Sequence, residues 1–270
     1  MEKKTVLVFV PHPDDAEFFA GGTICKFATE GNEIILVVAT DGGKASFHVT
    51  SQELTLQRQS ESRKAAEVLG IRKIEFLDYP DFELDQLPAG ILRERFIFLI
   101  RHYKPDVLIA EDVLVSNEVH PDHRAVALAA AEAVSFSHLP LVYPEQINTG
   151  ITPHFVVEKY FYSNNPASIN KIVDISATFD RKLSALGKHE SQVEFLVEEI
   201  FMQANLAGLN IEGILGQAAK NPFESVRWAL EAQASEIGRK AGYTYGEAFR
   251  YVRFHPYIES VLPVQSSNQS

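Results

Sequence analysis

Four short and nearly continuous apolar runs, TVLVFV (5–10), EIILVVA (33–39), KIEFL (73–77) and DVLIAE (106–111), are each followed by a longer helical pattern, at about 16–30, 52–69, 90–102 and 122–136. Parallel strands cannot be joined by a tight turn and need a crossover of helix length, so this alternation predicts βαβ units. Runs that are apolar throughout also require helices on both faces of the sheet. The fold class expected is α/β, a Rossmann-like doubly wound, mostly parallel sheet flanked by helices, with an elaborated C-terminal part. After about residue 140 the pattern loosens. PLVYPEQINTGITPH (140–154) reads as a loop punctuated by proline and glycine, FVVEKYFYS (155–163) and KIVDIS (171–176) as strands, and YGEAFRYVRFH (245–255) as a last strand. Helical patterns cover 177–188, 192–203 and 223–241. A single α/β domain over 1–265 is expected, with its core at about 1–140, C-terminal strands and helices at about 150–258, and a disordered tail at 266–270.

In an open α/β sheet, ligands bind beyond the carboxyl ends of the strands. The first such loop carries PHPDDAEFFAGG (11–22), one histidine and three carboxylates within six residues. A dinucleotide site would need glycines in that turn to let backbone amides approach phosphate. Here Gly21 and Gly22 fall inside the helix, and only Asp41, at the end of the second strand, stands where a ribose-binding acid would sit. Crowded carboxylates repel one another, and a divalent cation turns that repulsion into coordination. His12 and Asp15, three apart across a turn, can converge on one ion while Asp14 points elsewhere. The plainer alternative is that Asp14 or Asp15 caps the helix beginning near Ala16.

The stretch EVHPDHRAVALAAAEAV (118–134) repeats this chemistry after the fourth strand, with His120, Asp122 and His123 on the loop and first helical turn. Both clusters should lie at one edge of one sheet. A catalytic zinc needs three protein ligands and an open position, so one cluster would supply two ligands and the other one, leaving a His and an Asp for acid–base work.

PHPDDAEFFAGGTI together with HPDH resembles the zinc-dependent N-acetylglucosaminide deacetylases, the group called LmbE-like or PIG-L. The resemblance extends from residue 5 to about 255. It takes in RQSESRKAAEVLGI (58–71), VDISATFDRKLSALGKHESQ (173–192) and YGEAFR (245–250). It implies His12, Asp15 and His123 as ligands of one Zn2+ per subunit, with other divalent ions as alternatives. It implies Asp14 as general base, and His120 as a cationic or hydrogen-bonding partner of the oxyanion, oriented by Asp122. Arg58, within an Arg-x-x-Glu pattern ending at Glu61, is implied as a sugar contact. Asp41, Gly42 and Gly43 match a loop shaping the pocket floor. His255 is a candidate for lining its own site or a neighbour's. Pro11 departs from the alanine usual in the family. A homo-oligomer, trimer or hexamer, is also implied.

The formal net charge of −11 argues against nucleic acid as a partner. The one cysteine, Cys25, precludes an intramolecular disulfide. No apolar run approaches the ~20 residues of a membrane helix, and the first run meets charge after six residues, unlike a signal peptide. A cytoplasmic protein is expected. The functional expectation is removal of the acetyl group from an N-acetylated small-molecule sugar. The alternatives are the same chemistry on another amide, such as a thiol-linked glucosamine conjugate, or a non-catalytic metal- or nucleotide-binding module. Segment 203–222 reads as a lid or an oligomer contact.

Overall fold

The computed structural model describes residues 3–115, 117–163, 167–210, 213, 221–254 and 258. In chain order the elements are β1 (Thr5–Val10), α1 (Asp15–Thr29), β2 (Glu33–Thr40), α2 (Ser51–Leu69), β3 (Lys73–Tyr79), a 3-10 turn (Leu84–Gln86), α3 (Ile91–Tyr103) and β4 (Val107–Glu111). They continue with α4 (Pro121–Phe136), α5 (Pro144–Asn148), β5 (Glu158–Tyr162), β6 (Lys171–Asp174), α6 (Phe179–Leu186), α7 (Glu190–Leu206), α8 (Pro222–Arg239) and β7 (Gly246–Val252). The seven strands form one sheet in the order β3-β2-β1-β4-β5-β7-β6. β1 to β5 run parallel, and β7 is antiparallel to both β5 and β6. The doubly wound, mostly parallel architecture expected from the alternating runs is therefore the one observed.

The period-2 alternation of a strand divides β1 between two cores. Val6, Val8 and Val10 face α1 and α2, together with the fully buried Cys25. Leu7 and Phe9 face α3 and α4, where Phe9 stacks on Phe96 at 4.0 Å. The C-terminal helices α6, α7 and α8 build a third cluster around Phe179, Leu183, Val193 and Leu230.

Gly21 and Gly22 do lie inside α1. A Cβ at Gly22 would come within 2.7 Å of Ile175, so the pair lets α1 approach the chain entering α6. α2 begins with a capping box between Thr50 and Glu53 and ends at Gly70, whose φ of 80° only glycine adopts freely.

Part of the 140–154 segment expected to be a loop is helical, as α5. The reason lies in α3: Arg101, fully buried, donates to the carbonyls of Ser137, Leu139 and Val142 at 2.7–2.9 Å and to Gln146 Oε1 at 2.9 Å. The loop is folded around a guanidinium some forty residues away, which local propensity cannot reveal. Of segment 203–222, α7 extends to Leu206 and α8 starts at Pro222; residues 211, 212 and 214–220, like the tail at 266–270, lie outside the described residues.

The YGEAFR motif joins the two halves of the molecule. Glu247 on β7 accepts from the amides of Gly22 and Thr23 in α1 and pairs with Lys182 of α6 at 2.6 Å, all buried. Arg250, on the same strand, pairs with Asp112 at 2.8 Å just beyond β4. Strand β7 thus braces the elements that carry both histidine motifs.

Candidate metal centre and active site

Strand order reverses at β1, whose neighbours are β2 and β4, so the crevice of the sheet opens between the β1–α1 and β4–α4 loops. These are the loops that carry HPDD and HPDH.

In the first loop, the Pro11 carbonyl is gripped by Thr40, whose N–H and Oγ1 both lie at 2.9 Å. Proline at this position presets φ and gives up no needed donor. Asp14, the residue before α1, has φ 110° and ψ −25°, a left-handed conformation that costs a non-glycine residue about 1–3 kcal/mol. Arg58 of α2 holds it there, donating from Nη2 to the Pro13 carbonyl at 2.6 Å and to Asp14 Oδ1 at 3.1 Å. Asp15 turns the other way and accepts from the His12 N–H at 2.8 Å.

In the second loop, Pro121 occupies the first turn of α4 and His120 caps it, Nδ1 accepting from the Asp122 N–H at 3.2 Å. His123 follows on the face turned to α1.

These local arrangements converge. One donor atom from each of His12, Asp15 and His123 lies within 4.8 Å of the other two. His12 Nδ1 is 3.3 Å from Asp15 Oδ2, and His123 Nε2 is 3.6 Å from Asp15 Oδ1. The opposite ring nitrogens are each taken by carboxylates. His12 Nε2 meets Asp81 Oδ1 and Asp122 Oδ2, both at 3.2 Å, and His123 Nδ1 meets Glu111 Oε2 at 2.7 Å. An imidazole fixed through one nitrogen by a carboxylate, with the other free to coordinate, is the usual environment of a metal-ligating histidine. The donor set, two nitrogens and one oxygen, suits a divalent transition ion.

The electrostatics agree. Burial opposes charge on His123, yet Asp15 and Glu111 raise it to about 9. Burial likewise opposes His12, and Asp122, Asp15 and Asp81 raise it well above the ordinary value. Asp15, despite burial, is held to about 2 by His123 and His12. Without metal, protons on the imidazoles supply the positive charge that this carboxylate cluster demands. Asp14 behaves differently: burial lifts it to about 6 against the pull of Arg58, with Asp15 adding to the rise. A carboxylate poised near neutrality beside a cation site can move a proton.

Several expected roles change on the geometry. The Asp122 carboxylate faces His12 and accepts from the amides of Phe82 and Leu84, at 2.6 and 2.9 Å, so the side chain orients His12 while the backbone N–H of the same residue holds His120. His120 is lowered by burial and by His12 and His123, and its Nδ1 accepts from the Asp122 N–H, which leaves Nε2 to donate. Arg58 is buried, its Nη1 and Nη2 taken up by the Gly42 carbonyl at 2.8 Å and by Pro13 and Asp14; these bonds make it a brace for Asp14. Asp41 Oδ1 accepts from the amides of Gly43 and Asp81, tying the β2–α2 loop to the β3–α3 loop. Glu61 accepts from Ser191 at 3.0 and 2.6 Å, docking the start of α7 on α2. His255 lies outside the described residues.

Sequence reasoning missed Asp81, Glu111 and His189. Asp81 follows the end of β3 and Glu111 ends β4, so the rule that singled out the histidine loops, attention to the carboxyl ends of strands, also reaches them. His189, fully buried, sits 3.5 Å from Glu17 of α1, inside the 173–192 segment that carried part of the resemblance but gave no role for it.

Comparison with known proteins bears on this site directly. The model of the family PIG-L, GlcNAc-PI de-N-acetylase, matches residues 7–134, a span containing both histidine motifs. The diacetylchitobiose deacetylase of Thermococcus kodakarensis is 32% identical over 252 residues, covering 92% of this chain and 83% of that protein.

The chain belongs to the PIG-L family.

Among solved structures, the N,N'-diacetylchitobiose deacetylase of Pyrococcus horikoshii superposes on this PIG-L chain with a TM-score of 0.74 and 30% identity, covering 96% of this chain and 90% of that one. A probable N-acetyl-alpha-D-glucosaminyl L-malate deacetylase of Bacillus cereus is 29% identical over 208 residues, 74% of this chain and 88% of that protein.

Proposed function

We propose that this protein is a zinc-dependent hydrolase that removes the acetyl group from an N-acetylglucosamine-type sugar, releasing acetate and a free amino sugar. The reading rests on one juxtaposition: two imidazoles and the Asp15 carboxylate converge, while Asp14 is held beside them in a left-handed conformation and outside the cluster. The named relatives, all deacetylases of N-acetylated sugars, support it.

His12, Asp15 and His123 would hold the zinc. Bound there, zinc supplies a Lewis acid that brings the pKa of water toward about 7 and polarises an amide carbonyl. Asp14 takes the proton of the attacking water and later delivers it to the leaving amine. His120 donates from Nε2 to the carbonyl oxygen as negative charge develops, an interaction whose loss typically costs about 3–4 kcal/mol of transition-state stabilisation. Asp81, Asp122 and Glu111 keep the ligand rings in register, and Arg58 keeps Asp14 in its strained turn.

The malate-linked substrate in the name of the Bacillus relative favours a second reading, in which the same chemistry acts on a glucosamine carrying a different substituent. A cytoplasmic setting fits the buried, unpaired Cys25, and no helix among the described residues is long and apolar enough to cross a membrane. A homo-oligomer, trimer or hexamer, belongs to the same reading, and the exposed Phe82 and Val119 beside the site offer apolar surface for it.

The test is acetate release from N-acetylglucosamine and di-N-acetylchitobiose by protein stripped of metal and reloaded with one equivalent of zinc. Zinc-dependent release is expected, and the ratio of the two rates reports whether one sugar or two are accommodated. Stoichiometric zinc with no release from either sugar would refute action on these two sugars and leave the differently substituted glucosamine, or no catalysis at all.

A further inference from the structure

We propose that a second, weaker divalent-cation site lies behind His123, formed by Glu111, Glu118 and the hydroxyl of Tyr162, and that filling it inhibits the enzyme. The inference rests on the reading that His12, Asp15 and His123 hold the catalytic zinc.

Donor atoms of Glu111, Glu118 and His123 lie within 4.8 Å of one another. Two carboxylates and a histidine beside an active site would mean little alone. Tyr162 supplies the independent observation. It stands directly beside Glu111 in the β4–β5 ladder, and registered residues of parallel strands project to the same face. Its ring is fixed by stacking on Phe19, centroids 5.0 Å apart and planes within 3°. It is 3% exposed, and its hydroxyl has no hydrogen-bond partner among the described residues. The charges that face it are all carboxylates, Glu111, Asp15 and Glu118. A buried hydroxyl left unpaired among anions is an anomaly that folding normally removes. A cation with its water, held by the two carboxylates, would give the hydroxyl the partner it lacks.

The same geometry explains inhibition. Glu111 Oε2 accepts from His123 Nδ1 at 2.7 Å and so aims Nε2 at the first metal position. A cation held by Glu111 competes for that oxygen. Losing such an orienting partner typically costs 10–100-fold in metal affinity or activity. The donors are mainly oxygens, and the ring nitrogen beside them must give up a proton to coordinate, so the second ion should bind more weakly than the first.

The experiment is equilibrium dialysis of metal-stripped protein against rising free zinc, with bound ions counted by plasma mass spectrometry and acetate release followed in parallel. One ion per chain with full activity is expected at low free zinc. A second ion should follow at higher free zinc, with at least a tenfold fall in rate at saturation. Tyr162→Phe keeps the stacking on Phe19 and should leave the rate at low zinc unchanged. It should shift the second binding step and the inhibition midpoint together, by about tenfold or more in free zinc. Glu118→Gln, which keeps an oxygen to accept from the His120 amide as Glu118 does at 2.7 Å, should shift the second step further. A stoichiometry that stays at one ion, or a second ion bound equally well by both variants, overturns the proposal. If the tight first ion survives His123→Ala, the catalytic-zinc reading fails, and this proposal with it.

Discussion

Loading the cluster of His12, Asp15 and His123 with zinc at pH 7 is expected to release close to two protons. In the metal-free protein His123, with its value near 9, is expected to carry a proton at that pH, and His12 is raised in the same direction by its three carboxylates. Coordination requires a neutral imidazole, so each proton must leave as the ion enters. For His123 alone, two pH units below its pKa, displacing the proton costs about 2.7 kcal/mol, or a hundredfold in apparent affinity. Apparent affinity should therefore climb about tenfold per pH unit for each protonated ring, and fall as pH falls. Calorimetric titration at pH 7 in buffers of different ionisation enthalpy reads the number directly as the slope of observed heat against buffer heat. A slope below half a proton would show that the rings are neutral before metal arrives and would refute the electrostatic account of the site. The linkage also has a stability counterpart. Because the folded pKa of His123 lies above its unfolded value, its contribution is complete below about pH 6.5 and is lost as pH rises through 9. The metal-free protein should lose thermal stability between pH 7 and 9.

Asp14→Asn should retain zinc at the level of the unaltered protein while turnover falls by about 10²–10⁴-fold; loss of metal in that variant would make Asp14 a ligand. Gly42→Ala places a Cβ 2.8 Å from Arg58 Nη1 and 2.9 Å from Pro13 Cδ, at a backbone φ of 63°. It should lower kcat by loosening the Arg58 brace on Asp14, with metal content unchanged by mass spectrometry. Glu247→Ala strands the buried Lys182 ammonium and the amides of Gly22 and Thr23. A loss of about 3–5 kcal/mol in urea unfolding is expected, recovered in part by pairing the change with Lys182→Met.

Much of the fold was legible because its signals are local. The runs at 5–10, 33–39, 73–77 and 106–111 became β1 to β4, with ends moved by a residue or two at three of them. Placing HPDD and HPDH at one sheet edge needed only the rule that parallel strands end on the same side. Five partnerships were not legible. Arg58 was expected at a sugar and instead braces Asp14, 44 residues away in sequence. Asp122 was expected on His120, two residues before it, and reaches it only through its backbone N–H, while its carboxylate meets His12 across 110 residues. Asp81 and Glu111 became visible only as the carboxylates facing the far nitrogens of His12 and His123. Loop 140–154 acquired a helix because Arg101 gathers the Val142 and Tyr143 carbonyls and the Gln146 side chain.

The sequence by itself therefore determined the sheet, its direction and the edge at which the charged loops meet, since hydrophobic period, strand length and turn chemistry are read within a few residues. Only the tertiary structure decided which carboxylate faces which imidazole. That choice depends on strand order, on the register of β4 with β5, and on the left-handed turn at Asp14 that sends two adjacent aspartates in opposite directions. Each of these is fixed by packing between segments distant in the chain.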